Sequence, residues 1–404
     1  MHVRSITFFT PIDPFDPQPH LEPLAQAAAE MRETLNARGF TVQTVRLALP
    51  PWHTWGDDRD VYTLALYLNR EAPQMGFDYT SLGTLDATQR NQHTRLQTLT
   101  RILEATQTIF CSALYASVNE GIHISVAREI AALIRHLATV EENGFANLRF
   151  AALANVPPYS PFFPAAYAHP KEPPAVALAL ECGDLLVEAY TDADTLGMAR
   201  ARLAAALESH GRALTIIMDE LAQRHNLIFK GLDFSMAPFP TPDKSTAAGI
   251  EALGASPFGA PGTLMAAALT TDALRRARFL HTGFNGLMLP VLEDAILAAR
   301  AGETYSVHDL LLYSAVCGTG LDTVPLPGDV SERALTGLLL DVAALAVRLN
   351  KPLTARLMPI PGKQAGDLTD FNFEYFANGR VLHLHEPGEG ALWQTILDEI
   401  VELF

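Results

Sequence analysis

A chain of 404 residues is long enough for one large domain or two intimately packed ones. With 49% hydrophobic and 18% charged residues it is not a disordered chain, and a formal net charge of −16 opposes a phosphate backbone, so nucleic acid is not an expected partner. No run approaches the roughly 20 apolar residues that span a bilayer, and residues 1–11 lack an apolar signal core, which leads us to expect a soluble, cytoplasmic protein without a membrane partner.

In chain order, residues 5–10 form a short β-prone run closed by Pro11. A proline-rich connector leads to 20–38, whose alanines and leucines recur at helical spacing until Gly39 stops them, and 40–49 then alternates like a strand. Strand, helix, strand in that order points to parallel strands in an α/β protein. Residues 90–106 read as a polar-faced helix and 109–113 as an apolar strand. In 121–139, Ile122, Val126, Ile130, Leu133 and Leu137 mark the buried face of a helix. Segments 148–154 and 175–181 read as strands. The long Pro-rich loop between them, 156–174, is of a length more often functional than idle, and its Phe162, Phe163 and Tyr167 either cover a core or touch a ligand. Further on, helices are predicted over 195–226, 245–253, 287–300 and 333–349, and strands over 227–232 and 354–359. A hairpin is predicted from 371–377 and 380–385 around Asn378-Gly379.

The densest stretch is Tyr313-Ser-Ala-Val-Cys-Gly-Thr-Gly-Leu-Asp322 followed by Thr-Val-Pro-Leu-Pro-Gly-Asp329. It holds a thiol, three glycines, two prolines and two carboxylates. Such a mixture suits a rigid loop presenting Cys317, Asp322 and Asp329 better than a helix or strand. The chain's three cysteines, Cys111, Cys182 and Cys317, show no CxxC pair and read as reduced thiols.

Several stretches of the second half carry a resemblance. They are Phe234-Ser-Met-Ala-Pro-Phe-Pro-Thr-Pro242, Gly286-Leu-Met-Leu-Pro-Val-Leu-Glu-Asp294, the run from Tyr313 to Asp322, Pro327-Gly-Asp329, Leu339-Leu-Asp-Val-Ala-Ala-Leu-Ala346 and Arg356-Leu-Met-Pro-Ile-Pro-Gly-Lys-Gln-Ala-Gly-Asp367. In these the chain resembles a family of uncharacterised bacterial and archaeal proteins, domain of unknown function seven-eleven. The first half matches more loosely, through Phe163-Pro-Ala-Ala-Tyr167 and Glu181-Cys-Gly-Asp-Leu-Leu-Val-Glu188. The resemblance implies a fold grouped with the pyruvate formate-lyase type of glycyl radical enzyme: a closed ten-stranded α/β barrel, helices outside, with an interior loop on or near which Cys317 would lie. It implies one domain over 1–404, built from halves of about 1–190 and 191–404. The C-terminal glycyl-radical signature is missing, since the nearest text, Asn378-Gly-Arg-Val-Leu382, puts its glycine in the predicted hairpin turn. Kinship of fold does not carry chemistry with it.

Read by residue type, Cys317 is a nucleophile if a cation or base lowers its pKa, and otherwise packing. Asp322 is an acid/base or orienting group, while Asp329 either touches a ligand or caps the helix starting near Arg333. Glu293 and Asp294, adjacent on a helix, would point about 100° apart. Lys363, in Pro-Gly-Lys-Gln-Ala-Gly-Asp367, is an anion anchor or a solvated turn residue, without Walker spacing. Gly318 and Gly320 let a ligand approach the backbone, and Ser235 and Thr241 either donate to it or stabilise turns. His383 and His385 would share a strand face, but with no third ligand identified no metal site is assigned. The residues name no cofactor. The leading expectation is a metabolic enzyme, a hydrolase, lyase or acyl transferase working without a glycyl radical on a small polar or carboxylated metabolite, with the Cys317 loop at its active site. The alternatives are a noncatalytic metabolite-binding or regulatory protein and a divalent-metal enzyme. A homo-oligomer is expected on general grounds.

Overall fold

The computed structural model describes residues 1–54, 57–88, 92–389 and 400–403. Eleven strands among these residues join in one sheet: β1 His2–Phe9, β2 Val42–Ala48, β3 Tyr79–Asp86, β4 Ile109–Ser117, β5 Gly121–His123, β6 Phe150–Ala154, β7 Ala175–Glu181, β8 Ile228–Ala237, β9 Gly320–Pro327, β10 Leu353–Ile360 and β11 Ile400–Val401. The main path runs β8-β7-β1-β2-β3-β4-β6-β10-β9, with β5 and β11 attached beside β4. Strands β1, β2, β3, β4 and β6 run parallel to one another. Strand β7 meets β1, and β10 meets β6, in antiparallel register, while β7 with β8 and β10 with β9 are again parallel pairs.

No continuous ladder joins the end strands β8 and β9, so the sheet is not the closed ten-stranded barrel expected. Segment 281–290 runs between those edges instead, bridging once to each, His281 with Leu232 and Pro290 with Asp322. Its irregular backbone explains the break in pairing. Asn285 has φ 40°, and Pro290 has no N–H to give a ladder.

The strands read as near-continuous apolar runs, as parallel strands covered on both faces do. On one face Val3, Ile6, Phe8, Val45, Leu47 and Leu82 join the main core cluster under the helices, which include Gln18–Ala37, Asp58–Glu71, Ile124–Leu137, Leu196–Arg224 and Glu332–Arg348. The opposite, inner face is packed by the loop 156–174. Ser5 and Thr7 donate to the Pro161 carbonyl and Ser81 to that of Ala166, while Phe9, Ala48 and Phe110 pack against Tyr159 and Phe163.

Most predicted elements recur with shifted ends, and four differ in kind. Residues 121–139 split into β5 and the helix Ile124–Leu137. The glycine- and proline-rich run resolves into the helix Val307–Ser314, a short loop and β9. The helix over 287–300 shrinks to Ala295–Arg300, because Pro290 interrupts the run and Asp294 accepts the amide hydrogens of Ile296 and Leu297 as N-cap. The hairpin is also absent: Arg380 makes one antiparallel bridge to Leu368, and 371–379 turns without strands. Part of the 90–106 helix lies outside the described residues, the remainder being Gln92–Ala105. No helix among the described residues is long and apolar enough to cross a membrane.

Candidate functional site

A cavity of about 100 Å3 lies on the inner face. That is room for several waters or a small metabolite, since one water needs only ~10–15 Å3. Its wall is drawn from Arg4, Thr44, Arg46, Tyr79, Phe110 and Ala151 on the five parallel strands, and from Asp322, Thr354 and Arg356 on β9 and β10. Phe162 and Phe163 of the long loop, Phe284 and Met288 of the bridging segment and Glu293 just after it close it.

Irregular pairing aims the polar residues inward. Ala355 pairs with Leu321 and Leu357 with Val324, so the single Arg356 stands opposite two residues, Asp322 and Thr323. Thr323, a β-branched residue, has φ 42°. Such a bulge bends a strand and turns a side chain that regular pairing would direct elsewhere. Arg356 Nε donates to Asp322 Oδ1 and its Nη2 to Glu293 Oε1, each at 2.6 Å. Arg4 Nη2 donates to Glu293 Oε2 at 2.5 Å.

The two carboxyls respond differently to these surroundings. Burial raises the pKa of both. For Asp322 it prevails over the attraction of Arg356, and the nearby Glu293 charge adds to it, so the pKa stands above its ordinary value. For Glu293 burial is outweighed by Arg356, Arg4 and Arg46 together, and the pKa falls. Burial lowers Arg46 to about 10, with Arg4 contributing, yet it remains charged at neutral pH. Arg46 Nε donates to Thr44 Oγ1 at 2.9 Å, and its guanidinium carbon stands 5.1 Å from the Phe163 ring centre and 5.9 Å from that of Tyr79.

Of the acidic residues singled out from sequence, Asp322 and Glu293 line the cavity. Cys317 does not: it is 1% exposed in the main apolar core, in the loop before β9. What holds that loop is backbone, since the Cys317 carbonyl accepts from Lys351 Nζ and the Gly318 amide donates to Leu287 O at 2.9 Å. Gly318 lies against Gly286, where an added Cβ would come within 2.2 Å of the Gly286 Cα. Gly320 takes φ 94° at the start of β9. Asp329 accepts from Gln364, and the cap of Glu332–Arg348 is Ser331 rather than Asp329. Lys363 pairs with Asp370 at 3.3 Å. Ser235 donates to the buried Asp233, and Thr241 precedes the short 3-10 turn Pro242–Lys244. His383 and His385 sit in irregular chain with ring centres 4.4 Å apart. Among the described residues no group of three or more His, Cys, Asp or Glu side chains is arranged to hold a metal.

Residue-type reasoning passed over the three arginines. A signal for them exists: Arg4, Arg46 and Arg356 each interrupt an otherwise strand-like run, and a lone charge in a strand covered on both faces demands a partner.

The family model described as "Uncharacterised ACR (DUF711)" matches residues 1–374. The chain belongs to this family. Among curated relatives, a "UPF0210 protein" of Pyrobaculum arsenaticum is 33% identical over 389 residues, covering 91% of this chain and 84% of that one. One of Methanopyrus kandleri is 30% identical, covering 76% and 70%, and one of Acetivibrio thermocellus 28%, covering 78% and 73%. Those names state no activity, so what this member of DUF711 does rests on its own cavity.

Proposed function

We propose that the protein is an enzyme that moves a proton on a small polar or carboxylated metabolite bound in the inner-face cavity, with Asp322 as the proton carrier. The observation that carries this is the Arg356 guanidinium bridging two carboxyls that their surroundings shift in opposite directions, Asp322 up and Glu293 down, at the wall of a ligand-sized space. Carboxyls shifted in opposite directions divide the roles of a charged and a protonatable member. Glu293, between two arginines, stays ionised and fixes Arg356. Asp322 Oδ1 receives the Arg356 Nε–H, while Oδ2 has no hydrogen-bond partner among the described residues and is the atom that takes or gives the proton. Cys317 is a supporting residue in this reading, because its thiol is packed in the core.

The test uses NMR in D2O with a panel of C3–C6 carboxylic acids and their keto and hydroxy derivatives. The wild type is expected to exchange hydrogen for deuterium beside the carboxylate or carbonyl of at least one of them. Asp322→Asn is expected to slow that exchange by ~100-fold or more, the usual scale of general acid–base catalysis. A variant exchanging at the wild-type rate, or no exchange by the wild type on any compound, sinks the proposal.

For the fold, we read segment 281–290 as the irregular tenth position of a barrel of the pyruvate formate-lyase type. The support is the pattern of directions, five parallel strands from residues 1–154 meeting a second parallel set from 175–360, together with the bridges at His281 and Pro290. In that reading the two halves meet at the loop 156–174, and 281–290 is the interior loop. Cys317 packs against it rather than riding on it.

A further inference from the structure

We infer that the cavity takes a monocarboxylate with a compact apolar body, its carboxylate docked on Arg46. The inference rests on the cavity being the ligand site proposed above, but not on any catalysis there.

Three guanidiniums, of Arg4, Arg46 and Arg356, face two carboxylates, Glu293 and Asp322. Arg4 and Arg356 are both engaged with Glu293, and Arg356 also with Asp322. Glu181, behind Arg4, is matched by Lys244. No carboxylate comes within ion-pair distance of Arg46 among the described residues. Its one protein hydrogen bond uses Nε, leaving both Nη groups without an acceptor. Arg46 is half-buried, and a cavity-facing guanidinium that no carboxylate neutralises is one that a bound anion can pair with. Two more polar atoms on this wall, Arg4 Nη1 and Thr319 Oγ1, are buried without a hydrogen-bond partner. The cavity is therefore supplied with donors that the protein itself does not use.

The single uncompensated charge selects the anion. A phosphate monoester carries about 1.5–2 negative charges, and among the described residues no lysine lines the cavity to meet the excess. A carboxylate matches one guanidinium in charge and in its paired oxygens. The rest of the wall sets the body of the ligand: Phe110, Phe162, Ala151, Ala165, Phe284 and Met288 are apolar. An apolar cavity of about 150 Å3 binds benzene, so the smaller volume here suits a body of about three to five carbons.

The probe is butyrate, with butyramide and inorganic phosphate as controls, titrated calorimetrically into wild type, Arg46→Gln, Arg46→Lys and Asp322→Asn. Butyrate is expected to bind the wild type, and butyramide and phosphate are not. Arg46→Gln should weaken butyrate by ~10-fold or more, the scale of a hydrogen bond to a charged group, with Arg46→Lys recovering part of the loss. Asp322→Asn should still bind butyrate, which separates this site from the proton-transfer reading. Folding is checked by melting: ligand-free Arg46→Gln should be no less stable than the wild type, since it removes an unpaired charge, and butyrate should stabilise the wild type and Asp322→Asn more than Arg46→Gln. Equal binding of butyrate by Arg46→Gln, equal binding of butyramide, phosphate in place of butyrate, or no butyrate binding by the wild type would each overturn the assignment.

Discussion

Two buried carboxylate sites hold the two ends of segment 281–293, and they solve the same electrostatic problem by different means. At one end Asp233 has no cation beside it among the described residues. It accepts from Ser235 Oγ and from the amides of Phe284 and Asn285, at 2.7 and 3.1 Å for the amides. At the other end Glu293 and Asp322 are held by Arg356. Donors drawn from the segment's own backbone make Asp233 a folding clamp, and the unusual backbone of β8 there, φ 27° at Ser235 and 48° at Met236, goes into shaping it. The arginine-based site keeps full charges at a wall that a ligand can reach. The difference separates a carboxylate that builds the loop from carboxylates that can act on something inside it.

The sharpest way to break this contrast is Arg356→Met. It strands Asp322 and leaves Glu293 with Arg4 alone, and a buried charge deprived of its partner destabilises by about 3–5 kcal/mol. Urea denaturation at neutral pH should show a loss of this size. A loss under about 1 kcal/mol would mean that the carboxylates do not depend on Arg356, and the contrast with Asp233 would fall.

The Asp233 clamp makes a pH-dependent counterpart. Burial, only partly offset by the Ser235 hydroxyl and the two amides, pushes its pKa up to about 6. An unfolded aspartate releases its proton near ~3.9. Between those values the folded state binds more protons, so this residue's contribution to stability is greatest at the acid side and is lost as the pH rises, completely so above about 6. The difference, about two pKa units, amounts to about 3 kcal/mol. Stability of the wild type relative to Asp233→Asn should therefore fall by about 3 kcal/mol from ~pH 3.5 to ~pH 7. A difference between the two proteins that stays flat over this range would show that Asp233 is fully solvated by its donors.

How much of this was legible in the sequence depended on how local the cause was. Strand β7 and the helices Gln18–Ala37 and Leu196–Arg224 follow from apolar spacing and nearby stops, which a sequence displays directly. Strand β9 was hidden because Gly320, Pro325 and Pro327 look like turn residues. They sit in a strand whose neighbours, the bridging segment and β10, are supplied from far along the chain. The same holds for the site. Asp322 could be suspected from its setting, but its partner Arg356 lies 34 residues away, and Arg46 is distinguished by having no carboxylate within ion-pair distance among the described residues. An unpaired charge is a property of three-dimensional surroundings. Residue type and spacing do not contain it.

The middle of the bridging segment offers the finest test, at the thiol that drew most attention in the sequence. Cys317 lies between the two carboxylate sites, where its loop presses Gly318 onto Gly286. Its backbone carbonyl is held by Lys351, and that contact survives any change of side chain. Cys317→Ala removes one buried sulfur, comparable to losing a methyl or methylene, and should cost about 0.5–1.5 kcal/mol. If the thiol only packs, the variant should keep wild-type butyrate affinity and the wild-type deuterium exchange rate despite that loss. Exchange abolished with butyrate binding intact would instead make the sulfur part of the chemistry, and would move the working end of the cavity from the arginine-held carboxylates to the loop before β9.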